Sequence, residues 1–140
     1  MCPDQARIYQ GHSYQLIEYS ASRVDSWEEL LEYCALRGGY PAVINDLNEN
    51  NFLYQYTVDL GKENVIFGYT DIEKEGNWVW VHGNSDFNDY WVDSQPDNDG
   101  GVEHYGSFHD ITANGMWNDV PFRQYTNSFL CEWDTVALRK

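Results

Sequence analysis

Oxygen-bearing side chains are concentrated in the last third of the chain. Gln95, Asp97 and Glu103 lie in a glycine-rich stretch, and Asn118 and Asp119 follow a tryptophan. Ca²⁺ and similar hard cations take about six to eight oxygen ligands from carboxylates, amides, backbone carbonyls and water. The residue types therefore predict a Ca²⁺ site formed by these side chains, with coordination positions left open for a ligand.

Other chemistries are less well supported by the residues. The histidines do not stand at the compact spacing of a zinc site. They are His12, His82, His104 and His109. The chain has so many carboxylates that an acid and base pair of a glycosidase can always be proposed. Such a pair is therefore not evidence of an enzyme. The sequence therefore predicts a binding protein that is not an enzyme.

The charge and composition exclude several classes of partner. Asp and Glu number 23 against 8 Lys and Arg, which gives a formal net charge of −15. Such a chain repels phosphate backbones and anionic lipids, so neither nucleic acid nor membrane insertion is expected. No apolar run approaches the ~18 residues of a spanning helix, and no signal peptide is evident. With 16% aromatic residues, the chain is expected to form one folded domain over residues 1–140.

The first half of the chain predicts elements that would frame the site. A hairpin of short strands is followed by two helices whose apolar residues recur at helical spacing. The first helix is expected to begin at Asp25 or Ser26 and the second at Asn45 or Asp46, because these side chains can cap a first turn. The predicted apolar faces comprise Trp27, Leu30, Leu31, Cys34 and Ala35 in the first helix and Leu47, Phe52, Leu53, Tyr56 and Val58 in the second.

The second half predicts short strands and one long loop. The predicted strands cover residues 8–10 and 13–17 at the start of the chain, then 65–69, 77–81, 103–109, 116–119 and 128–133. The segment 84–101 has almost no periodicity, and a loop of that length in a compact domain usually carries function. Phe87, Tyr90 and Trp91 are expected to hold it with a small core of their own. Helices early and strands late indicate an α+β domain.

Three cysteines stand at positions 2, 34 and 131. A bridge between Cys34 in the first helix and Cys131 in the last strand would close a loop of roughly 100 residues and stabilise the fold by about 3–5 kcal/mol. Alternatively, all of the thiols are free, as in a cytosolic protein. Cys2 is left without a mate, which suggests a free thiol or a disulfide link to another chain or a larger parent protein.

The order of these motifs resembles the C-type lectin-like domain, from about residue 2 to residue 134. The segments that carry the resemblance are Cys2-Pro3 with the hairpin from Tyr9 to Tyr14, then Trp27–Cys34, Phe67–Asp71, Asn77–Trp80, Gln95–Asp97, Glu103, Trp117–Asp119 and Phe129–Trp133. The resemblance implies two helices with small antiparallel sheets, a long calcium-binding loop and a disulfide between Cys34 and Cys131. Tyr105 and Phe122 stand where the family has an inner disulfide, so an aromatic contact is expected there. Without that bridge, the loop is expected to depend on its ion for order.

The resemblance also assigns roles within the site. Gln95, Asp97, Glu103, Asn118 and Asp119 are expected to hold one Ca²⁺ ion, with neighbouring hydroxyls of a sugar at the remaining coordination positions. The order of amide and acid at Gln95 and Asp97 resembles the galactose-type motif of the family. This implies glycans that end in galactose or N-acetylgalactosamine.

Two further features of the family's site are altered in this sequence. A tryptophan that stacks on galactose usually follows the motif, but Asp99 stands at that position. The candidates that could replace it are Tyr105, Phe108 and His109. An auxiliary Ca²⁺ is expected from Asp71, Glu75 and Asn98 with a share of Glu103, although His104 replaces an acidic ligand.

The sequence therefore predicts a secreted or cell-surface lectin with a role in adhesion, which loses sugar binding when the ion is chelated or the site is protonated in acid. A domain of an adhesin or receptor, stabilised by Ca²⁺ and binding protein through the same loop, is the alternative from another class. A solvated acidic loop turned by Pro96, without an ion, is the plain structural alternative.

Overall fold

The computed structural model describes residues 6–109, 111–123 and 126–134, so Cys2 lies outside the described residues. A hairpin of β1 (Arg7–Tyr9) and β2 (His12–Glu18) opens this part of the chain. β2 pairs antiparallel along its whole length with the last strand, β8 (Ser128–Asp134). The start and the end of the described chain are therefore held side by side.

Within the described residues, three α-helices lie between the hairpin and the strand that begins at Ile66. A single turn, α1 (Tyr19–Ser22), was too short for periodicity to predict. α2 (Trp27–Leu36) and α3 (Leu47–Asp59) agree with the predicted helices. Their caps are Ser26 and Asp46, whose side chains accept a backbone N–H of the first turn at 3.1 Å and 2.8 Å.

The buried faces of α2 and α3 agree with the prediction in part. Their buried apolar residues are Trp27, Leu30 and Cys34 in α2 and Leu53 and Tyr56 in α3. Two predicted core positions are wrong, because Ala35 is exposed and Leu47, the first residue of α3, is 45% exposed. Glu49 and Asn50 are buried in α3 instead, where hydrogen bonds satisfy their polar atoms.

The strands form one connected sheet. Its other members are β3 (Tyr40–Pro41), β4 (Ile66–Thr70), β5 (Val79–Trp80), β6 (Tyr105–Phe108) and β7 (Trp117–Val120). The order is β1-β2-β8-β4-β6-β7, with β3 beside β8 and β5 beside β4. Because β4 and β8 are parallel where Ile66 meets Phe129, the sheet is mixed and not a set of small antiparallel sheets. Helices and a mixed sheet together make an α+β fold.

A disulfide joins Cys34 in α2 to Cys131 in β8, with the Cα atoms 5.6 Å apart, which confirms the predicted bridge. The ring centroids of Tyr105 and Phe122 are 5.8 Å apart in an edge-on contact. The Tyr105 ring also lies 4.7 Å from the ring of Trp27 in α2. An aromatic contact therefore occupies the place that the resemblance assigns to an inner disulfide.

Trp117 in β7 is fully buried at the centre of the main core. The rings whose centroids lie within 6.0 Å of it are those of Phe67, Tyr69, Trp80, Phe87, Tyr90 and Trp91. The last three belong to the long loop and pack on this main core, so the prediction of a separate small core is wrong. The loop is thereby attached to the strand that carries Asn118 and Asp119.

Candidate functional site

The loop from residue 84 to residue 101 is hydrogen-bonded to β7. The N–H of Trp117 donates to the carbonyl of Tyr90 at 2.9 Å, and the N–H of Val92 donates to the carbonyl of Trp117 at 2.9 Å. The N–H of Gln95 then donates to the carbonyl of Val92 at 2.9 Å, which turns the chain. The turn brings the residues that follow Gln95 next to the two residues that follow Trp117 in β7.

Asp97, Glu103 and Asp119 form a carboxylate cluster in which one oxygen of each lies within 4.8 Å of the others. Asp119 is fully buried, and its oxygens accept the N–H groups of Asp97 at 3.2 Å and Asn98 at 2.7 Å. Glu103 accepts the N–H of Asp99 at 3.0 Å, and its own N–H donates to Oδ1 of Asn98 at 3.1 Å. These bonds wrap the loop around the Asp119 carboxylate.

Gln95 and Asn118 complete the predicted ligand set. Oε1 of Gln95 and Oδ1 of Asn118 are buried, and within the described residues neither has a hydrogen-bond partner. A buried acceptor without a donor costs about 1–3 kcal/mol, so such atoms are normally satisfied. A cation in contact with both amide oxygens and with the carboxylates would satisfy them. The residues present therefore fit a Ca²⁺ ion, which binds this mixture of ligands.

Burial disfavours the charged form of two carboxyl groups in the cluster. Burial, together with a hydrogen bond to Asp97, raises the pKa of Glu103 to about 7. Burial also raises the pKa of Asp119, and the backbone N–H groups that it accepts oppose this effect. A divalent cation would favour the carboxylate form of both groups and so lower their pKa values.

Two of the predicted auxiliary ligands, Asp71 and Glu75, are brought together with His104, and one ligand atom of each of these three residues lies within 4.8 Å of the others. Nδ1 of His104 lies 3.0 Å from Oδ1 of Asp71 and 3.3 Å from Oε1 of Glu75. Asn98, the remaining predicted ligand, has its Oδ1 engaged by the N–H of Glu103. The structure thus places an imidazole beside the two carboxylates, in the position where the resemblance implied an acidic ligand.

Two of the three residues predicted to stack on a sugar are buried, and the third follows β6. Tyr105 is 7% exposed and faces α2, and Phe108 is 1% exposed in the main core. Burial therefore excludes both as surface contacts. His109 follows the far end of β6, six residues after Glu103, and a strand segment of that length spans roughly 20 Å. His109 lines a different groove, beside α3.

Asn50 in α3 received no functional prediction but is bound to the strand that carries the site. Its Oδ1 accepts the indole N–H of Trp117 at 2.8 Å, and its Nδ2 donates to the carbonyl of Gly115 at 2.9 Å. One sequence signal was available: Asn50 stands three residues before Leu53 and so shares the buried face of α3. A polar residue on such a face needs a partner inside the protein.

A further cluster between β2 and β8 was also missed. Nδ1 of His12 lies 2.8 Å from Oε2 of Glu132 and 3.0 Å from Oδ1 of Asp134. The hydroxyl of Tyr40 donates to the same oxygens at 3.0 Å and 2.7 Å. Only the pairing of the first and last strands brings these groups together, so no local spacing in the sequence reveals them.

Comparison with known proteins gives this fold and site a family. The model of the lectin C-type domain matches residues 23–133. Perlucin from Haliotis laevigata is 33% identical over 112 residues, covering 79% of this chain and 72% of perlucin. Asialoglycoprotein receptor 2 from Rattus norvegicus is 36% identical over 112 residues, covering 76% of this chain and 35% of the receptor. The chain thus matches about a third of that receptor.

A solved structure shows the same likeness. The mouse scavenger receptor C-type lectin carbohydrate-recognition domain superposes with a TM-score of 0.73 at 25% identity, covering 95% of this chain and 96% of that one. The chain belongs to the C-type lectin family, and the expected C-type lectin-like fold is confirmed. Domains of this family are non-enzymatic binding domains that typically bind Ca²⁺. The similarity to C-type lectins supports carbohydrate binding. Among the described residues, no helix has the length and apolar character needed to span a membrane.

Proposed function

We propose that this chain binds carbohydrate through a Ca²⁺ ion held by Gln95, Asp97, Glu103, Asn118 and Asp119. The observation that supports this most strongly is the pair of buried amide oxygens, on Gln95 and Asn118, without a hydrogen-bond partner in the described part of the chain. The carboxylate oxygens of the same set lie within 4.8 Å of one another. Membership of a family that typically binds Ca²⁺ gives both features one explanation.

Each side chain has a distinct role in this proposal. The bound ion offers its remaining coordination positions to two neighbouring hydroxyls of a sugar. The amide groups of Gln95 and Asn118 donate hydrogen bonds to the hydroxyl oxygens, and the carboxylates of Asp97 and Glu103 accept the hydroxyl protons. Asp119 already accepts two backbone N–H groups, so it supports the loop and the ion. Because each hydroxyl has several fixed partners, the site selects the relative orientation of the pair.

The preferred glycans are of the galactose type in this proposal. The order of amide and acid at Gln95 and Asp97 supports that preference, and one matched relative is named an asialoglycoprotein receptor. Asp99 takes the place of a stacking tryptophan, and Tyr105 is buried. Affinity for a single sugar therefore rests on the hydroxyl contacts, and galactose and N-acetylgalactosamine are expected to bind more tightly than mannose.

The calcium dependence is assigned to this cluster and not to an auxiliary ion. An ion held by Asp71, Glu75 and Asn98 would have to displace His104 from the two carboxylates, which it approaches at 3.0 Å and 3.3 Å. The first cluster is formed by the carboxylates of Asp97, Glu103 and Asp119 and does not require an imidazole to move.

A secreted or cell-surface location accompanies the proposed function. The disulfide between Cys34 and Cys131 supports an oxidising compartment. The C-type lectin relatives are mostly secreted or cell-surface proteins. Glycans on cells or secreted proteins are the partners that such a location offers.

Isothermal titration calorimetry with CaCl₂ and then galactose tests the proposal. Asp97→Asn removes one charge from the cluster, and Asp93→Asn is the matched control because Asp93 is an exposed acid of the same loop. We expect both heats in the parent and in Asp93→Asn, and neither in Asp97→Asn or in EGTA. Galactose binding that persists in EGTA would contradict the proposal. A Ca²⁺ heat with no response from any glycan on an array would favour a calcium-stabilised protein-binding domain.

A further inference from the structure

A second groove lies beside β5 and is lined by none of the proposed Ca²⁺ ligands. Its volume is about 240 Å³. The side chains that define it are the rings of Tyr69, Trp78, Trp80 and Phe87 and the amides of Asn84 and Asn88. These rings form a wall, and the amides provide hydrogen-bonding groups along it.

Hydrogen bonds hold the part of the loop that lines the groove. The indole N–H of Trp80 donates to the carbonyl of Phe87 at 3.0 Å. The hydroxyl of Ser85 donates to the carbonyl of Ile44 at 2.7 Å and accepts the N–H of Phe87 at 3.2 Å. The loop is thus tied both to β5 and to the segment before α3. A ligand entering this groove does not have to order it first, which lowers the entropic cost of binding.

The tryptophans present ring surface to the groove. The Trp80 ring is stacked on that of Tyr69 with the centroids 4.3 Å apart, and the Trp78 ring is edge-on to that of Trp91 at 4.8 Å. Both tryptophans are partly buried and line the groove, so both contribute apolar surface to it. Because the N–H of Trp80 is already bonded to Phe87, this ring offers an aromatic surface and not a donor.

We propose that this groove binds one neutral sugar ring without a metal ion. The described residues that line it include no Lys, Arg, Asp or Glu, although the chain carries a formal charge of −15, so the lining favours an uncharged ligand. Indole rings pack against the apolar C–H face of a pyranose, and the amides of Asn84 and Asn88 both donate to and accept from its hydroxyls.

The size of the groove supports a single ring. Sites for drug-sized ligands have volumes of about 300–1,000 Å³, and this groove is smaller. An extended peptide would need a longer site with a sequence of pockets. The inference does not rest on the proposed Ca²⁺ site, since the two sets of residues are separate.

Saturation-transfer difference NMR in EGTA tests the inference. The probes are methyl β-galactopyranoside, methyl β-glucopyranoside and methyl α-mannopyranoside, each at millimolar concentration. We expect saturation transfer to the ring C–H protons of at least one probe. Trp78→Ala is expected to weaken that binding by about tenfold, because stacking is lost. Asn88→Ala changes an exposed residue and is expected to weaken it several-fold, whereas Asn48→Ala, an exposed asparagine of α3, is expected to leave it unchanged.

Two outcomes would overturn the inference. One is the absence of saturation transfer to all three probes in EGTA. This result would overturn the inference even if the groove were found to bind another ligand, such as a proline-rich peptide. The other is binding that is equally strong in the parent, Asn88→Ala and Trp78→Ala. If Trp78→Ala fails to fold, as judged by circular dichroism, Asn84→Ala combined with Asn88→Ala replaces it. Since EGTA removes any calcium-dependent binding, failure here leaves the calcium-dependent function to be judged by its own titration.

Discussion

The indole N–H of Trp117 donates a hydrogen bond to Oδ1 of Asn50 at 2.8 Å, and both residues are fully buried. Trp117 belongs to β7 and immediately precedes Asn118 and Asp119, while Asn50 belongs to α3. The amide of Asn50 also holds the carbonyl of Gly115, just before the strand. The helix therefore fixes the position of the strand that supplies two of the proposed Ca²⁺ ligands.

Replacing Asn50 with leucine should both destabilise the fold and weaken Ca²⁺ binding. The substitution leaves the indole N–H and the Gly115 carbonyl without partners, so we expect the free energy of unfolding to fall by about 1–3 kcal/mol. Urea denaturation and calorimetry measure the two effects. Asn48→Leu, at an exposed position of the same helix, is the control. Lower stability with unchanged Ca²⁺ affinity would show that α3 does not position the site.

Calcium should stabilise the folded chain, and the effect should depend on the Asn118 side chain. An ion that binds only the folded state raises the free energy of unfolding by about 2.7 kcal/mol at 100 times its dissociation constant. In Asn118→Leu we expect this increase to be largely lost. In EGTA the variant is expected to be at least as stable as the parent, because a buried oxygen without a partner has been removed. Urea denaturation in both conditions checks this, and an equal response to Ca²⁺ in parent and variant contradicts it.

Glu132 should make stability depend on pH. Burial raises the pKa of Glu132 to about 8 from an ordinary value of 4.5, although the Val43 N–H and the Tyr40 hydroxyl partly oppose this. Between these values the folded protein keeps a proton that the unfolded chain has lost. Binding of this proton stabilises the folded protein to its full extent below pH 4.5, the ordinary pKa. The stabilisation is lost as the pH rises towards about 8, the pKa in the fold.

The variant Glu132→Gln isolates this contribution because it cannot ionise. We expect the difference in free energy of unfolding, Glu132→Gln minus parent, to rise by a few kcal/mol, on the order expected from the pKa shift, when the pH is raised from 5 to 8. Urea denaturation at both pH values in EGTA measures the difference. Glu28→Gln, an exposed change of the same kind, should show no such trend. A constant difference between the parent and Glu132→Gln across this range would show that Glu132 ionises normally in the fold.

The bridge between Cys34 and Cys131 should be a large contributor to stability. The bonded cysteines are 97 positions apart, and removing such a link is expected to lower the free energy of unfolding by about 3–5 kcal/mol. Cys34→Ala should cost nearly as much as the double variant with Cys131→Ala, because either change breaks the same bond. Denaturation curves of the three proteins check this. A double variant far less stable than either single one would be inconsistent with this assignment.

Local signals in the sequence predicted much of the frame. Ser26 and Asp46 could be identified as caps because the residues that they bond lie within one helical turn. Residue type and order within one loop and one strand predicted that Asp97, Glu103 and Asp119 would lie together. The structure brings one oxygen of each within 4.8 Å of the others.

Contacts between distant segments could not be predicted in the same way. The direction in which Tyr105 points depends on how β6 packs on α2, which no spacing in the sequence specifies. Phe87 and Trp91 indicated that the long loop is held by aromatic packing, but the identity of their partner, Trp117, is a tertiary property. The cluster around Glu132 likewise forms only when the first and last strands pair.

A crystal structure grown with Ca²⁺ and galactose tests the central claim most directly. We expect one ion with Oε1 of Gln95, Oδ1 of Asn118 and oxygens of Asp97, Glu103 and Asp119 at about 2.3–2.6 Å. Two neighbouring galactose hydroxyls should complete its coordination. An ion held elsewhere, for example by Asp71 and Glu75 alone, or galactose bound without contact to the ion, would contradict the account.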